Sequence, residues 1–135
     1  MDGIEDARPL GVNEQAEALK ARTRQFALDV LDFVKTLPSS EPGPTVRRQL
    51  SKSSTGTAAN YRAARRARSH AEFTARISIV AEEADESLYW LDLASSAKLS
   101  PSTSLPQLLQ EANELCAIFS AMVGTARRKE RVAKK

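Results

Sequence analysis

Histidine, cysteine and tryptophan occur once each in the 135 residues, glycine five times, and aromatic side chains make up only 5% of the chain. The single cysteine, Cys116, excludes an internal disulfide. It falls in the apolar pattern of a helix, where a free thiol behaves as a small hydrophobe, which suits a reducing cytoplasm. The single histidine, His70, excludes the paired Glu-x-x-His motifs of di-iron bundles. With no second histidine or cysteine there is no charge-relay or thiol pair to build, and the sparse glycines form no phosphate-cradling loop. A non-enzymatic protein without metal or cofactor is therefore expected. No run of 18 apolar residues occurs, and the opening MDGIEDARPLG has neither a basic nor an apolar region, so neither a membrane span nor an export signal is expected.

Glycine and proline do cluster at two places, PSSEPGP at 38–44 and LSPSTSLP at 99–106, and outside these breaks the periodicity is helical. Leu19, Thr23, Phe26, Val30, Phe33 and Leu37 share one stripe and predict a first helix over about 13–37, preceded by a disordered 1–12. A second helix over 44–67 has a centre of small residues, SKSSTGTAAN, which forms a weak isolated helix but lets a neighbour approach closely. Ser69 with Glu72 makes a capping box that opens a third helix, 69–98, after a short turn. Its stripe is Phe73, Ile77, Val80, Ala84, Ser87 and Leu91, with Leu88 beside it. Ser104 and Gln107 repeat the spacing before a fourth helix, 104–126, with Pro106 in its first turn and Leu108, Ala112, Leu115, Phe119, Met122 and Ala126 inward. Four amphipathic helices without strand signals predict an all-α, antiparallel up-down four-helix bundle over 13–126.

The net charge is only +3, but the charges are segregated. From Pro42 to Ala71 the chain has seven basic residues and no carboxylate. On a helical wheel Arg47, Arg48, Lys52, Arg62, Arg65 and Arg66 fall within about 140°, opposite Val46, Leu50, Ser53, Thr57, Tyr61 and Ala64. Arg68 follows at the turn, and Arg127, Arg128, Lys129 and Arg131 begin a basic tail over 127–135 that is expected to fray. Arginine's planar fork suits phosphate, so these residues form a candidate surface for RNA or DNA. The alternative is a structural or protein-interaction module, in which they complement the helix dipole and pair with Glu82, Glu83 or Asp85 of a neighbouring subunit, or the basic face binds a protein partner. The only aromatic on the second helix, Tyr61, lies on its buried arc, so recognition through the phosphate backbone is expected rather than base stacking. Asn60 sits between the two arcs and is expected to hydrogen-bond across to another helix. On the third helix Ile79, Tyr89, Trp90 and Leu93, interleaved with Glu82 and Glu86, form a second apolar face and a candidate subunit interface. The acidic spacing there is common on ordinary helices and is no metal site.

The residues GTAANYRAARRARSHAEF (56–73) and EEADESLYWLDL (82–93) resemble the bacterial four-helix-bundle family first noticed in intervening sequences of large-subunit ribosomal RNA genes. The match runs from about Phe26 to Met122 and is strongest at Asn60, Tyr61, Arg62 and Ala63, at Arg66 to Ser69, and at Glu82, Ala84, Glu86, Tyr89, Trp90 and Leu91. Many members carry an acidic residue and a glycine where this chain has Ala63 or Ala64, and a proline at the position of Ala58. This sequence looks like the branch with Asn-Tyr-Arg-Ala. The resemblance implies a ring-like homopentamer. In a relative, the accessory protein of diversity-generating retroelements, it implies a basic surface that binds nucleic acid and a nucleic-acid-processing enzyme, a reverse transcriptase.

Overall fold

The computed structural model describes residues 11–133, which hold four helices: α1 (Val12–Phe33), α2 (Gly43–Ala64), α3 (His70–Ser96) and α4 (Leu105–Ala133). A 3-10 turn, Val34–Thr36, closes α1. Residues 1–10, with most of the stretch expected to be disordered, lie outside the described residues, while Val12 is already helical. Each helix packs on its chain neighbours, α1 also meets α4, and α2 and α4 stand diagonally opposite. This is the antiparallel up-down bundle that the four stripes require.

The stripes are buried much as the periodicity dictates. Thr23, Phe26, Val30, Phe33 and Leu37 are buried, with Leu19 half-buried, and Ile77, Val80, Ala84, Ser87 and Leu91 follow on α3. On α4 Val123 is buried and Met122 only half-buried, a rotation of one position from the expected stripe. The small centre of α2 sits directly against α3. Ser53, Ser54 and Thr57 are fully buried; Ser87 donates to the Ser53 hydroxyl at 2.9 Å, and Ser53 and Thr57 donate to carbonyls of their own helix. Every one of these buried hydroxyls is satisfied, so their burial carries no orphan penalty.

The ends of the helices follow local chemistry. The Ser69 hydroxyl accepts the Glu72 N–H at 3.1 Å, as expected of the capping box, but the Glu72 carboxylate accepts from Arg68 N–H, one residue further out. The expected second box does not form: Ser104 pairs its hydroxyl with Ser102 instead. At the end of α3, Lys98 adopts φ 54°, and the bonds Leu99 N–H to Ala94 and Lys98 N–H to Ser95 make a Schellman stop without glycine. The expected frayed tail is a correction too. Residues 127–133 continue α4, because Arg, Lys, Glu and Ala are good helix formers and no breaker follows Ala126. At the start of α2, a Cβ on Gly43 would collide with the Pro38 backbone carbonyl, so only glycine lets the chain turn that closely.

Candidate nucleic-acid interface

The position of α2 between α1 and α3 divides its cations into two groups. Arg47 and Arg65 lie on the edge facing α1. Arg47 donates from Nε to the Val34 carbonyl and from Nη2 to those of Leu37 and Pro38, at 3.2 to 3.3 Å. This corrects its expected place in the phosphate-binding set. Its guanidinium caps the carbonyl end of α1, where the chain would otherwise leave acceptors unpaired. Arg65 is half-buried, 3.8 Å from the Glu17 carboxylate, with Nε buried and unpartnered. It lines a mainly apolar groove of about 590 Å³ between α1 and α4 whose walls include Leu19, Tyr61, Phe73 and Met122.

Arg48, Lys52, Arg62 and Arg66 form the second group, and all four are exposed. Ser51, Thr55 and Ala59, all small, separate them. Eighteen residues at the helical rise make this strip about 27 Å long. Among the described residues none of the four has a carboxylate within ion-pair distance. Within one subunit no α3 carboxylate forms an ion pair with them, although Glu83 lies near enough to Lys52 for the two charges to interact.

Arg68, on the α2–α3 turn, is exposed. α4 runs parallel to α2, so its basic end reaches the same pole of the bundle, as the contact of His70 Nε2 with the Ala126 carbonyl at 2.9 Å requires. The cations Arg127, Arg128, Lys129 and Arg131 therefore share a pole with Arg62, Arg66 and Arg68 but stand on the opposite edge. Arg127 reaches Ser78 at 3.4 Å and Arg128 reaches Thr125 at 3.2 Å. The C-terminal ends of α2 and α4 meet the N-terminal ends of α1 and α3 at this pole, so the helix dipoles offset one another there and only the cations closest to the two C-termini gain from them.

Arg76 of α3 was not legible as part of this surface. It is exposed and borders a cleft of about 240 Å³ with Arg62, Arg66, Ala59, Ala63 and Glu72. A helical wheel of α3 alone leaves Arg76 an ordinary surface cation. Only the α2–α3 hairpin brings it alongside the α2 strip.

Asn60 donates to the Gly56 carbonyl of its own helix at 2.9 Å, which corrects the expected bond to another helix. Tyr61 is buried, its ring 5.4 Å from that of Phe119. Its hydroxyl reaches the Ala16 carbonyl at 3.5 Å. On α3, Ile79, Tyr89 and Leu93 are 38%, 56% and 38% exposed, with Glu82 and Glu86 exposed among them. Trp90 is half-buried against the core, and its indole Nε1 is buried without a partner. Tyr89 packs edge-on against it at 5.1 Å. The apolar face of α3 thus stands open in the single chain around a rigid aromatic pair.

Glu83 faces α2 rather than solvent. Its carboxyl lies over Gly56, where an added Cβ would come 2.9 Å from Cδ, and its Oε2 is buried and unpartnered. Burial pushes the Glu83 pKa up, Glu86 and Glu82 add to the rise, and Lys52 opposes it. A carboxyl held above its unfolded value of about 4.3 binds its proton more tightly in the folded state. Its contribution to stability is complete below the unfolded pKa and is lost as pH rises through the folded one. E83Q should therefore be more stable than the parent at neutral pH and flatter across that window. Urea unfolding at a series of pH values measures this, and an unchanged pH slope would contradict the burial of this carboxyl.

Among the described residues no group of three or more His, Cys, Asp and Glu side chains is placed to hold a metal ion, and no helix is long and apolar enough to cross a membrane. The Cys116 thiol, half-buried on α4, is pushed up to about 11 by burial and, secondarily, by Asp85. It is a poor nucleophile at neutral pH.

The sequence matches the 23S rRNA-intervening sequence protein family over residues 17–121, which takes in most of all four helices. The chain belongs to that family. A solved structure similar to it is a protein of unknown function of the S23 ribosomal protein family from Bacteroides thetaiotaomicron. That protein is 24% identical, with a TM-score of 0.69 over 77% of this chain and 96% of the other. The likeness shows the fold. No curated protein matches the sequence. In this member of the intervening-sequence family, the shared bundle carries the α2 strip and the open α3 face described above.

Proposed function

We propose that this member of the family is a non-enzymatic homo-oligomer, pentameric as the family resemblance implies, that binds RNA or DNA without sequence preference in the cytoplasm. Its surface is the α2 strip of Arg48, Lys52, Arg62 and Arg66, extended by Arg68 and the basic end of α4. The observation that carries this reading is the strip itself: Arg48, Lys52 and Arg62 exposed on α2 and Arg66 on the turn that closes it, with no carboxylate within ion-pair distance among the described residues. Solvated cations on a surface are common, but a run of them that outnumbers the acids beside it, Glu41 near Arg48 and Glu83 near Lys52, raises a local potential that attracts polyanions. The test is binding of nuclease-treated protein to labelled RNA and DNA of unrelated sequence across a salt series. Affinity should fall with a log-log slope of about −0.7 to −0.9 for each phosphate neutralised, and absence of binding at low salt would refute the reading.

A second reading is favoured by the acidic α3 face, where Glu82 and Glu86 flank Ile79 and Leu93. Unlike faces on one subunit make head-to-tail contacts that close into rings, so the α2 cations would meet α3 carboxylates of the next subunit. Both readings place assembly on α3. Because Trp90 also packs on the core, Tyr89 and Leu93 are the cleaner probes. Y89E with L93E adds two charges beside Glu82 and Glu86 and should yield monomers with unchanged helical content, as read by sedimentation and far-ultraviolet circular dichroism. A variant that remains assembled would exclude this face as the interface.

A further inference from the structure

Three of the unpaired arginines converge on one place. Arg62 of α2, Arg66 of the turn that follows it and Arg76 of α3 border the same cleft, which Ala59 and Ala63 also line. These small residues leave room between the side chains. We infer that this cleft is a phosphate seat, in which the three guanidinium groups from two helices grip one phosphate of a nucleic-acid backbone. The inference rests on the nucleic-acid reading and adds to it Arg76 and a defined point of purchase.

Three cations against the single carboxylate of Glu72 leave the cleft net positive, and a bound dianion or phosphodiester relieves the remaining repulsion. Among the described residues none of the three arginines has a carboxylate within ion-pair distance. The one carboxylate bordering the cleft, Glu72, is tied to the turn, where it accepts the Arg68 N–H at 2.9 Å. The α2–α3 hairpin packs closely along its length, as α3–α4 does, so the backbone beneath the three arginines is held firmly. The planar fork of each guanidinium offers paired donors to phosphate oxygens. No aromatic ring and no side-chain amide lines the cleft, so the seat grips the backbone and treats RNA and DNA alike.

The test compares R76A with R24A, which removes an equally exposed cation from α1. R76A should weaken binding of RNA and DNA equally, by about tenfold at low salt, the loss of one of three charge-assisted contacts to a shared phosphate, and R24A should leave the affinity unchanged. If R76A matches R24A while R48A with K52A weakens binding, the strip binds nucleic acid and the seat is refuted. An independent probe is inorganic pyrophosphate, titrated into the full-length protein while the arginine Nε–H resonances are observed by NMR. Shifts at Arg62, Arg66 and Arg76 that exceed those at Arg24 support the seat even where nucleic acid fails to bind, an outcome that would refute the functional reading alone. Equal, weak shifts at all four would overturn the seat.

Discussion

Reversing Arg48, Lys52, Arg62 and Arg66 to glutamate together is expected to abolish binding of RNA and DNA at all salt concentrations. The exchange replaces four cations by four anions on each subunit, so a strip that attracts phosphates becomes one that repels them. The contacts of Arg48 and Lys52 and the phosphate shared by Arg62 and Arg66 contribute a log-log salt slope of about −2 to −3 per bound subunit, and all of it should vanish. Glutamate has nearly the helix propensity of arginine and lysine, and all four positions are exposed, so the fold should survive. The modest cost is two acidic groups near the negative end of α2, about 0.3–1 kcal/mol each. Circular dichroism and sedimentation check the fold and assembly. Loss of binding with assembly intact assigns the strip to nucleic acid. Loss of assembly instead assigns it to pairing with α3 carboxylates of a neighbour.

Truncating Phe119 to alanine should be strongly destabilising. The ring is fully buried near the middle of α4 and packs at 5.4 Å and 55° against Tyr61 of the diagonal helix. It therefore bridges one of the two diagonal helix pairs, which have no direct backbone approach. Removing a buried phenylalanine costs about 3–5 kcal/mol in lost transfer free energy and residual cavity. Set against a typical total of about 5–15 kcal/mol, that is a large share of the stability of the fold. The neighbouring exposed Ser120 supplies the control, since S120A should change stability by no more than about 0.5 kcal/mol. Urea unfolding measures both. A loss below about 1 kcal/mol in F119A would contradict the central placement of this ring.

The bundle and its four buried stripes follow from the sequence by itself. Apolar residues recurring every three or four positions have a single way to be buried together, and Ser69 with Glu72 marks a helix start through hydrogen bonds made within four residues. Such features depend only on the local backbone, so they can be read from order alone. The segregation of charge along α2 is legible for the same reason.

What those charges meet was decided by tertiary structure. Arg47 looked like part of the basic face, yet its long side chain reaches the carbonyls that end α1, because the α1–α2 loop folds those atoms beside it. Asn60 turned back to its own helix since the Gly56 carbonyl lies one turn away and competes with any partner across the interface. Arg76 joined Arg62 and Arg66 only through the crossing of α2 and α3, and the basic end of α4 came to their pole only because the up-down topology makes α2 and α4 parallel. Periodicity settles which side of a helix is apolar. The partners of a polar side chain depend on interhelical angles and on turns, which arise from packing of the whole core and leave no local trace in the order of residues.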